Sequence, residues 1–280
     1  MGVIDFKNKS FEAFEANTYN GEVEIKSEPT NYFDIASVTK TLTNALGYFL
    51  KPEAFTPDML LCLSHRGGLP SWGLLPNPGW KEQILSYPIK ESETLYSDFS
   101  PLRVMLEFNK KGDLKSLVQT VWDKETIYWT DLPQYFPKAQ TGYKNSRPNY
   151  GKVHDPNAWT IGEFAAHAGV FSTVDGLCRT YLNYQEKTDF ISKVKKEMNS
   201  HHHRFSFGFD RVENPENTLA GAGCSKSTFG HLGFTGCSVW IDAEKMKGHV
   251  ILTNAVKEHW YDKVVLNDLR RGIGQEVWKN

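Results

Sequence analysis

Phe33-Asp34-Ile35-Ala36-Ser37-Val38-Thr39-Lys40 is the stretch on which the reading of this chain turns. Beyond it Val38, Leu42, Ala45, Leu46 and Phe49 recur at helical spacing until Lys51-Pro52 stops the run, so an amphipathic helix is expected to begin close to Ser37. Residues three apart share a helix face with Cβ atoms about 5 to 6 Å apart, which lets the Ser37 hydroxyl meet the Lys40 amine. Serine needs a base to act as a nucleophile at neutral pH, and lysine becomes one when burial and a neighbouring cation depress its pKa. A helix N-terminus adds backbone N–H groups and a positive dipole end beside a developing oxyanion. Ser192-Lys193-Val194-Lys195 repeats the spacing among Lys196 and Glu197, on a solvated face where lysine stays protonated, and is expected to be inert. Ser37 follows Phe33, Ile35 and Ala36, and its surroundings should be partly buried.

Working outward, residues 9–16 and 21–25 alternate in places around the turn signal Asn20-Gly21 and read as an antiparallel hairpin. The middle, about 55–200, mixes Pro/Gly-rich loops with helices expected at 101–108, 114–122, 172–184 and 188–198. Ser172 with Asp175 resembles a capping box for the third of these. After residue 200 the period becomes that of strands: Phe205, Phe207 and Phe209 alternate, 238–242 and 249–253 read as strands, and helical spacing returns at 264–278 despite Gly272 and Gly274. Strands at both ends predict one antiparallel sheet covered by the last helix, with a helical insertion. The expectation is a single α/β domain over 1–280, its sheet lobe 1–36 and 201–280 and its helical lobe 37–200. A cleft between the lobes is a natural place for a site.

With 280 residues, 40% of them hydrophobic, the chain can bury a sizeable core. A net charge of -1 and a pI near 6.8 give no reason to expect nucleic acid or an anionic membrane as the main partner. No window approaches the roughly 18 apolar residues of a membrane span, and the first ten residues carry no signal-like apolar run. As written the chain reads as soluble and cytoplasmic. Had a leader been removed, it would read the same and be periplasmic or secreted. Cys62, Cys178, Cys224 and Cys237 are too scattered for a disulfide framework or a CxxC metal site and read as buried free thiols.

Tyr96-Ser97-Asp98 and His231-Leu232-Gly233 follow Ser37-Lys40 in the order of a known trio of catalytic motifs. With tyrosine leading the middle element, the chain resembles the class C β-lactamase, penicillin-binding protein and D-alanyl-D-alanine carboxypeptidase superfamily of serine hydrolases, which has many esterase relatives. Segment 33–40 is similar to that group's nucleophile segment and 63–70 to its following loop. Residues 154–158, 166–173 and 229–240 resemble further stretches, so patches of likeness run from about 33 to 254. The resemblance implies a β-lactamase-like fold and, without any cofactor, an acyl-enzyme on Ser37. It gives Lys40 and Tyr96 acid/base roles, makes an oxyanion hole of the N–H groups of Ser37 and Phe234, and a substrate edge of Asp98, His231, Gly233 and Thr235. His231 would position a substrate carboxylate or tune Tyr96.

This sequence departs from the pattern in three respects. Asp98 replaces the usual asparagine and could pair with Lys40, raising the lysine pKa against base function. Leu232 removes a hydroxyl, for which Thr235 is a potential substitute. The chain is also short for the group, lacking the N-terminal helix expected before the first strand. His65, His154 and His167 read as loop-fixing residues and no metal is expected, since HxxxH and CxxC support are missing. His201-His202-His203 reads as a polar loop. Trp72, Trp80, Trp129 and Trp159 lie in loop-rich segments and could line a cleft entrance.

The sequence therefore points to a serine hydrolase acting on an amide or ester, leaning towards cell-wall D-alanyl or β-lactam-like amides. Its partner would be a small-molecule or peptide substrate, such as one derived from peptidoglycan. The alternatives are a catalytically degenerate binding protein of the same fold, or an esterase for small esters.

Overall fold

The structure, a computed structural model, describes residues 1–19, 22–26, 30–258 and 263–279. Strands β1 (Gly2–Asp5) and β2 (Ser10–Ala13) form the first hairpin, with Ile4 opposite Phe11. The run expected to form one hairpin across 9–25 is broken at Phe14, whose N–H turns back to the Met1 carbonyl at 2.9 Å. Beyond the break β3 (Glu15–Tyr19) pairs with β4 (Glu22–Lys26) as a separate ribbon, and the Asn20-Gly21 turn lies outside the described residues.

From β5 (Phe33–Asp34) the chain enters the expected helix, but its winding changes along the way. A 3-10 turn over Ala36–Val38 passes into π-type winding over Thr41–Ala45 and then into α1 (Leu46–Leu50). Side chains compete with the helical ladder here: Thr43 Oγ1 donates to the Thr39 and Ala166 carbonyls, and Trp122 Nε1 to the Leu42 carbonyl. The helices α2 (Pro57–Leu63), α3 (Trp80–Ser86), α4 (Phe99–Phe108) and α5 (Leu114–Gln119) follow. Thr56 and Asp113 cap α2 and α5 by accepting N–H bonds from Met59 and Ser116.

The middle of the chain also carries strands that sequence periodicity did not reveal. They are β6 (Thr126–Tyr128), the hairpin β7 (Gln140–Lys144) with β8 (Arg147–Tyr150), and, after α6 (Pro156–Ile161), β9 (Val170–Ser172). β9 lies between β5 and β6 in a three-stranded sheet, so it docks the start of the Ser37 segment. Next come α7 (Val174–Thr188) and α8 (Phe190–Ser200). The cap of α7 is Thr173, which accepts the Gly176 N–H at 2.9 Å, rather than Ser172, which belongs to β9 and bonds Glu125 and Thr126.

Phe205, Phe207 and Phe209 do not share one strand. β10 (Phe205–Ser206) turns at Phe207, φ +50°, and Gly208 into β11 (Phe209–Arg211). Then β12 (Thr228–Leu232), β13 (Ser238–Asp242) and β14 (Lys247–Ile251) lead to α9 (Lys263–Lys279). All adjacent pairs of the seven-stranded sheet, in the order β10-β11-β12-β13-β14-β1-β2, are antiparallel, so strands from both chain ends share it as expected. Period-2 alternation divides its faces: Val3 and Trp240 pack with Val277 and Trp278 of α9, while Ile4, Val239, Ile241 and Val250 join Leu177 and Tyr181 of α7 in the main core. The four cysteines are free and buried. No helix among the described residues is long and apolar enough to cross a membrane.

Helix α9 can approach the 220–221 loop closely because Gly274 has no side chain: a Cβ there would sit 1.9 Å from the Ala220 carbonyl oxygen. That oxygen is fixed by His249 Nε2 and Trp278 Nε1. Gly272 has no neighbour within 4 Å of its notional Cβ. Gly274→Ala should therefore lower stability by about 1 to 3 kcal/mol through overpacking. Gly272→Ala should raise it by about 1 kcal/mol through helix propensity. Urea midpoints at unchanged m-value check both, and shifts of the same sign would contradict this packing.

Candidate active site

The segment carrying Ser37 is held by a buried carboxylate. Asp34 Oδ1 accepts the Ala36 N–H at 2.9 Å and Oδ2 the His154 N–H at 2.7 Å, while its carbonyl oxygen receives the Thr235 hydroxyl at 2.6 Å. Burial raises its pKa to about 6 against these N–H donors, with the charge of Asp155 adding to the rise. Between Asp34 and Ser37, Ala36 adopts φ +46°, a left-handed conformation that is costly for a residue with a Cβ. The Asp34 bond to its N–H supports that turn, which delivers Ser37 to the surface of a cleft.

Lys40 follows on the same helical face, almost wholly buried, and its Nζ lies within 3 Å of three oxygens. It lies 2.9 Å from Ser37 Oγ, 2.9 Å from the His167 carbonyl and 2.8 Å from Asp98 Oδ1. Burial alone would favour the neutral amine, but the Asp98 charge beside it and the Tyr96 hydroxyl outweigh burial and raise the lysine pKa above its ordinary value. The ion pair foreseen as an alternative for Asp98 is thus formed without drawing the ammonium from Ser37.

Ser97 explains how Tyr96 and Asp98 arrive there. Its hydroxyl accepts the Phe99 and Ser100 N–H groups at the start of α4 and donates to the Pro70 carbonyl at 2.6 Å. Tyr96 and Asp98 flank this cap, the first with its hydroxyl in hydrogen-bonding reach of Ser37 and Lys40. Burial raises the Tyr96 pKa above its ordinary value despite the nearby ammonium, so the phenol keeps its proton. The His65 ring packs 4.6 Å from the Tyr96 ring, centroid to centroid, and its Nδ1 accepts the Ser97 N–H. Burial, and then the charge of Lys40, hold His65 well below its ordinary pKa.

Across the cleft, β12 supplies His231 and Gly233 follows it. His231 Nδ1 lies 2.8 Å from the Leu232 carbonyl, which places the ring proton on Nδ1 and leaves Nε2 as a buried acceptor without a partner among the described residues. Burial, and then the Lys40 charge, lower its pKa to about 3. It therefore offers a lone pair rather than the cation a substrate carboxylate would want. Gly233 permits close approach: a Cβ there would stand 2.5 Å from the Ile35 carbonyl oxygen. The cleft of about 370 Å³ is lined by Ser37, Tyr96, His231, Leu232, Gly233 and Phe234. Thr235 is not among the lining residues, since its buried hydroxyl is spent on Asp34. None of Trp72, Trp80, Trp129 and Trp159 lines it, and Trp129 stacks on Trp159 instead.

Sequence reasoning missed the rest of the wall: Arg204, Phe205, Asp210, Leu219, Lys263, Asn267 and Arg270. Arg204 forms a bidentate pair with Asp210 at 2.7 and 2.8 Å, across a hairpin that periodicity had straightened. Arg270 is 5% exposed and donates to the Cys237 carbonyl at 2.9 Å, bracing the Gly233 turn from α9. Its signal was available, because Leu266, Arg270 and Gly274 repeat every four residues along the buried stripe of that helix. His167 Nε2 meets Asp155 Oδ1 at 2.8 Å behind Lys40. Burial would raise the Asp155 pKa, but His167 and the Ala158 N–H outweigh it and hold the carboxyl below the ordinary range.

Comparison with known proteins relates the chain to a sequence family and to solved structures. The sequence model of the β-lactamase family matches residues 116–269. No curated protein sequence matches the chain significantly. Solved structures similar to it include a β-lactamase from Mycobacterium bovis, with TM-score 0.59 and 16% identity over 99% of this chain and 93% of that one. A class C β-lactamase mutant superposes with TM-score 0.58 and 13% identity over 99% and 91% of the two chains. EstCE1, a hydrolase with promiscuous acyltransferase activity, gives 0.61 and 12% over 100% and 93%. At these identities the structural likeness is one of fold.

The Asp34 carboxyl lends itself to measurement. Because its folded pKa of about 6 exceeds the ordinary value near 3.9, its linked stability is present below about pH 4 and lost as pH rises through 6. Relative to Asp34→Asn, the wild-type chain should lose roughly 2 to 3 kcal/mol of stability between pH 4 and pH 7. Chemical denaturation of both at the two pH values reads this difference. A gap that does not change with pH would show that Asp34 does not titrate as the burial requires.

Proposed function

Since the chain belongs to the β-lactamase family, we propose that it is a serine hydrolase that forms an acyl-enzyme on Ser37. The observation that carries this reading is the 2.9 Å contact between Ser37 Oγ and Lys40 Nζ at the wall of a cleft, with the Tyr96 hydroxyl in reach of both. In its amine form Lys40 takes the Ser37 proton as Oγ attacks the acyl carbon. The N–H groups of Ser37 and Phe234 receive the oxyanion, and Tyr96 relays the proton to the leaving group. Water then attacks the ester, and the same groups act in reverse. Gly233 keeps the wall close enough for this, and Asp98, next to Lys40, governs the amine form.

The substrate we propose is an amide of the cell-wall D-alanyl or β-lactam-like kind. His231 Nε2 is a buried acceptor at the cleft wall and is matched by an amide N–H or a departing amine, which an ester lacks. The esterase-like neighbour keeps short esters among the substrates to be compared. The Lys40–Asp98 pair favours a second reading, a binding protein whose lysine stays charged.

Intact-protein mass spectrometry after incubation with a fluorophosphonate, a penicillin and p-nitrophenyl esters tests the first reading. A single acyl adduct on the wild-type chain and none on Ser37→Ala is expected. Folded wild-type protein that stays unmodified by all of them would favour the binding protein. Lys40→Ala and Tyr96→Phe should each slow acylation by at least about 100-fold with circular dichroism unchanged, and near-normal rates in both would remove their roles. His231→Leu should lower turnover of amides about 10-fold more than that of matched esters, as one lost hydrogen bond of roughly 1.4 kcal/mol implies. Equal losses for the two would leave the amide preference unsupported.

A further inference from the structure

The titratable groups around Lys40 are neutral or offset by a partner, with one exception. From the segment after α2, His65 faces it as a neutral ring, and from β12 His231 does the same. Behind it, Asp155 is paired with His167, whose carbonyl but not its ring touches Nζ. Arg204, before β10, is offset by Asp210. Tyr96, before α4, retains its proton. Among the described residues only Asp98, at the start of α4, brings a formal charge directly to Nζ, at 2.8 Å, and its side chain is 18% exposed against 4% for that of Lys40. The ammonium thus donates to Ser37 Oγ and the His167 carbonyl and lies against the Asp98 carboxylate, with the Tyr96 hydroxyl also in reach.

A saturated ammonium that donates to the serine oxygen cannot accept the serine proton. We propose that Asp98 is a positioning residue that clamps Lys40 in its ammonium form, so that acylation of Ser37 runs on the alkaline side of neutrality and speeds up when the carboxylate is removed. The proposal rests on the reading of Ser37 as nucleophile and Lys40 as its base. Proton balance requires that one proton leave the Lys40–Asp98 pair to solvent before Ser37 Oγ–H can transfer its own to Nζ. The partly exposed Asp98 carboxylate is the route to water, because Nζ itself is covered. With Asp98 ionised that departure is opposed by a full charge at contact distance; with an amide in its place the buried amine is free to shed the proton.

Asp98→Asn preserves the shape and removes the charge, and two readouts apply to it. The first is the titration midpoint of the Lys40 Cε resonance, followed by NMR in chains carrying ¹³C-labelled lysine and assigned with Lys40→Arg. It should lie above the ordinary lysine value in the wild-type chain and fall by at least one pH unit in Asp98→Asn. The second is the pH profile of acylation by p-nitrophenyl acetate, whose acid limb should move down with the midpoint, so that the variant reacts at least 10-fold faster at pH 7. A wild-type midpoint at or below the ordinary lysine value overturns the clamp even if the variant does not fold. So does an unmoved midpoint or an unmoved limb in folded Asp98→Asn. Because the NMR titration does not depend on turnover, a shifted midpoint in a chain that never acylates would refute the nucleophile reading while leaving the clamp standing.

Discussion

A positive charge taken out of water has to be surrounded, and the burial of Lys40 is the constraint around which this molecule is arranged. Besides Ser37 of its own segment, its contacts come from parts of the chain far apart in sequence: Asp98 from the head of α4 and the His167 carbonyl from the approach to β9. An unpaired ammonium in such a place would neutralise or unfold its surroundings, so the three segments must meet. Their meeting defines the cleft wall. Asp34 does comparable work one turn earlier, joining the Ala36 turn, the His154 loop and Thr235 through a single buried carboxyl and its carbonyl.

How far the sequence could be read depended on the range of the interaction. The Ser37–Lys40 contact is an i, i+3 neighbour pair, set by helix geometry, and was legible before any fold was known. The sheet built from both ends was legible in outline because 238–242 and the apolar run 249–253 read as strands, and so was α9 through its apolar stripe. What escaped were elements decided at a distance. β6 and β9 are three residues each and have a pattern only once paired with each other. The 205–209 alternation concealed a turn, because Phe207 adopts a positive φ that its side chain does not announce. Ser172 looked like a cap, but Thr173 stands one residue nearer the helix and its hydroxyl reaches the Gly176 N–H.

The same distinction holds within the candidate site. Ser37, Tyr96, His231, Gly233 and Phe234 converge on one cleft, with Lys40 and Asp98 directly behind its wall. Thr235 was plausible by position along the chain, yet its side chain is buried in the turn after β12, where it donates to the Asp34 carbonyl. Arg204 was invisible as a site residue because nothing local marks it, its place being set by a hairpin partner, whereas Arg270 lies on the buried stripe of α9 and joins the site through the packing of that helix on the sheet. The protonation state of His231 could not be read at all, since a histidine is neutral or charged according to how deeply it is buried.

Family membership and chemistry rest on different parts of this chain. The family match begins at residue 116, downstream of Ser37, Lys40, Tyr96 and Asp98, and includes the opposite side of the cleft, from Arg204 through β12 to Asn267 of α9. Scaffold residues therefore carry the relationship, while the reactive groups must be judged on geometry. That geometry keeps the serine–lysine contact but changes the electrostatics around it: a carboxylate stands against the lysine, and a neutral histidine stands at the wall. A charge that holds the resting site together is also one that resists the proton movement an acyl transfer requires. Strengthening Asp98's hold on Lys40 would better stabilise the closed, buried site and at the same time slow its use, so stability and reactivity oppose each other at a single contact.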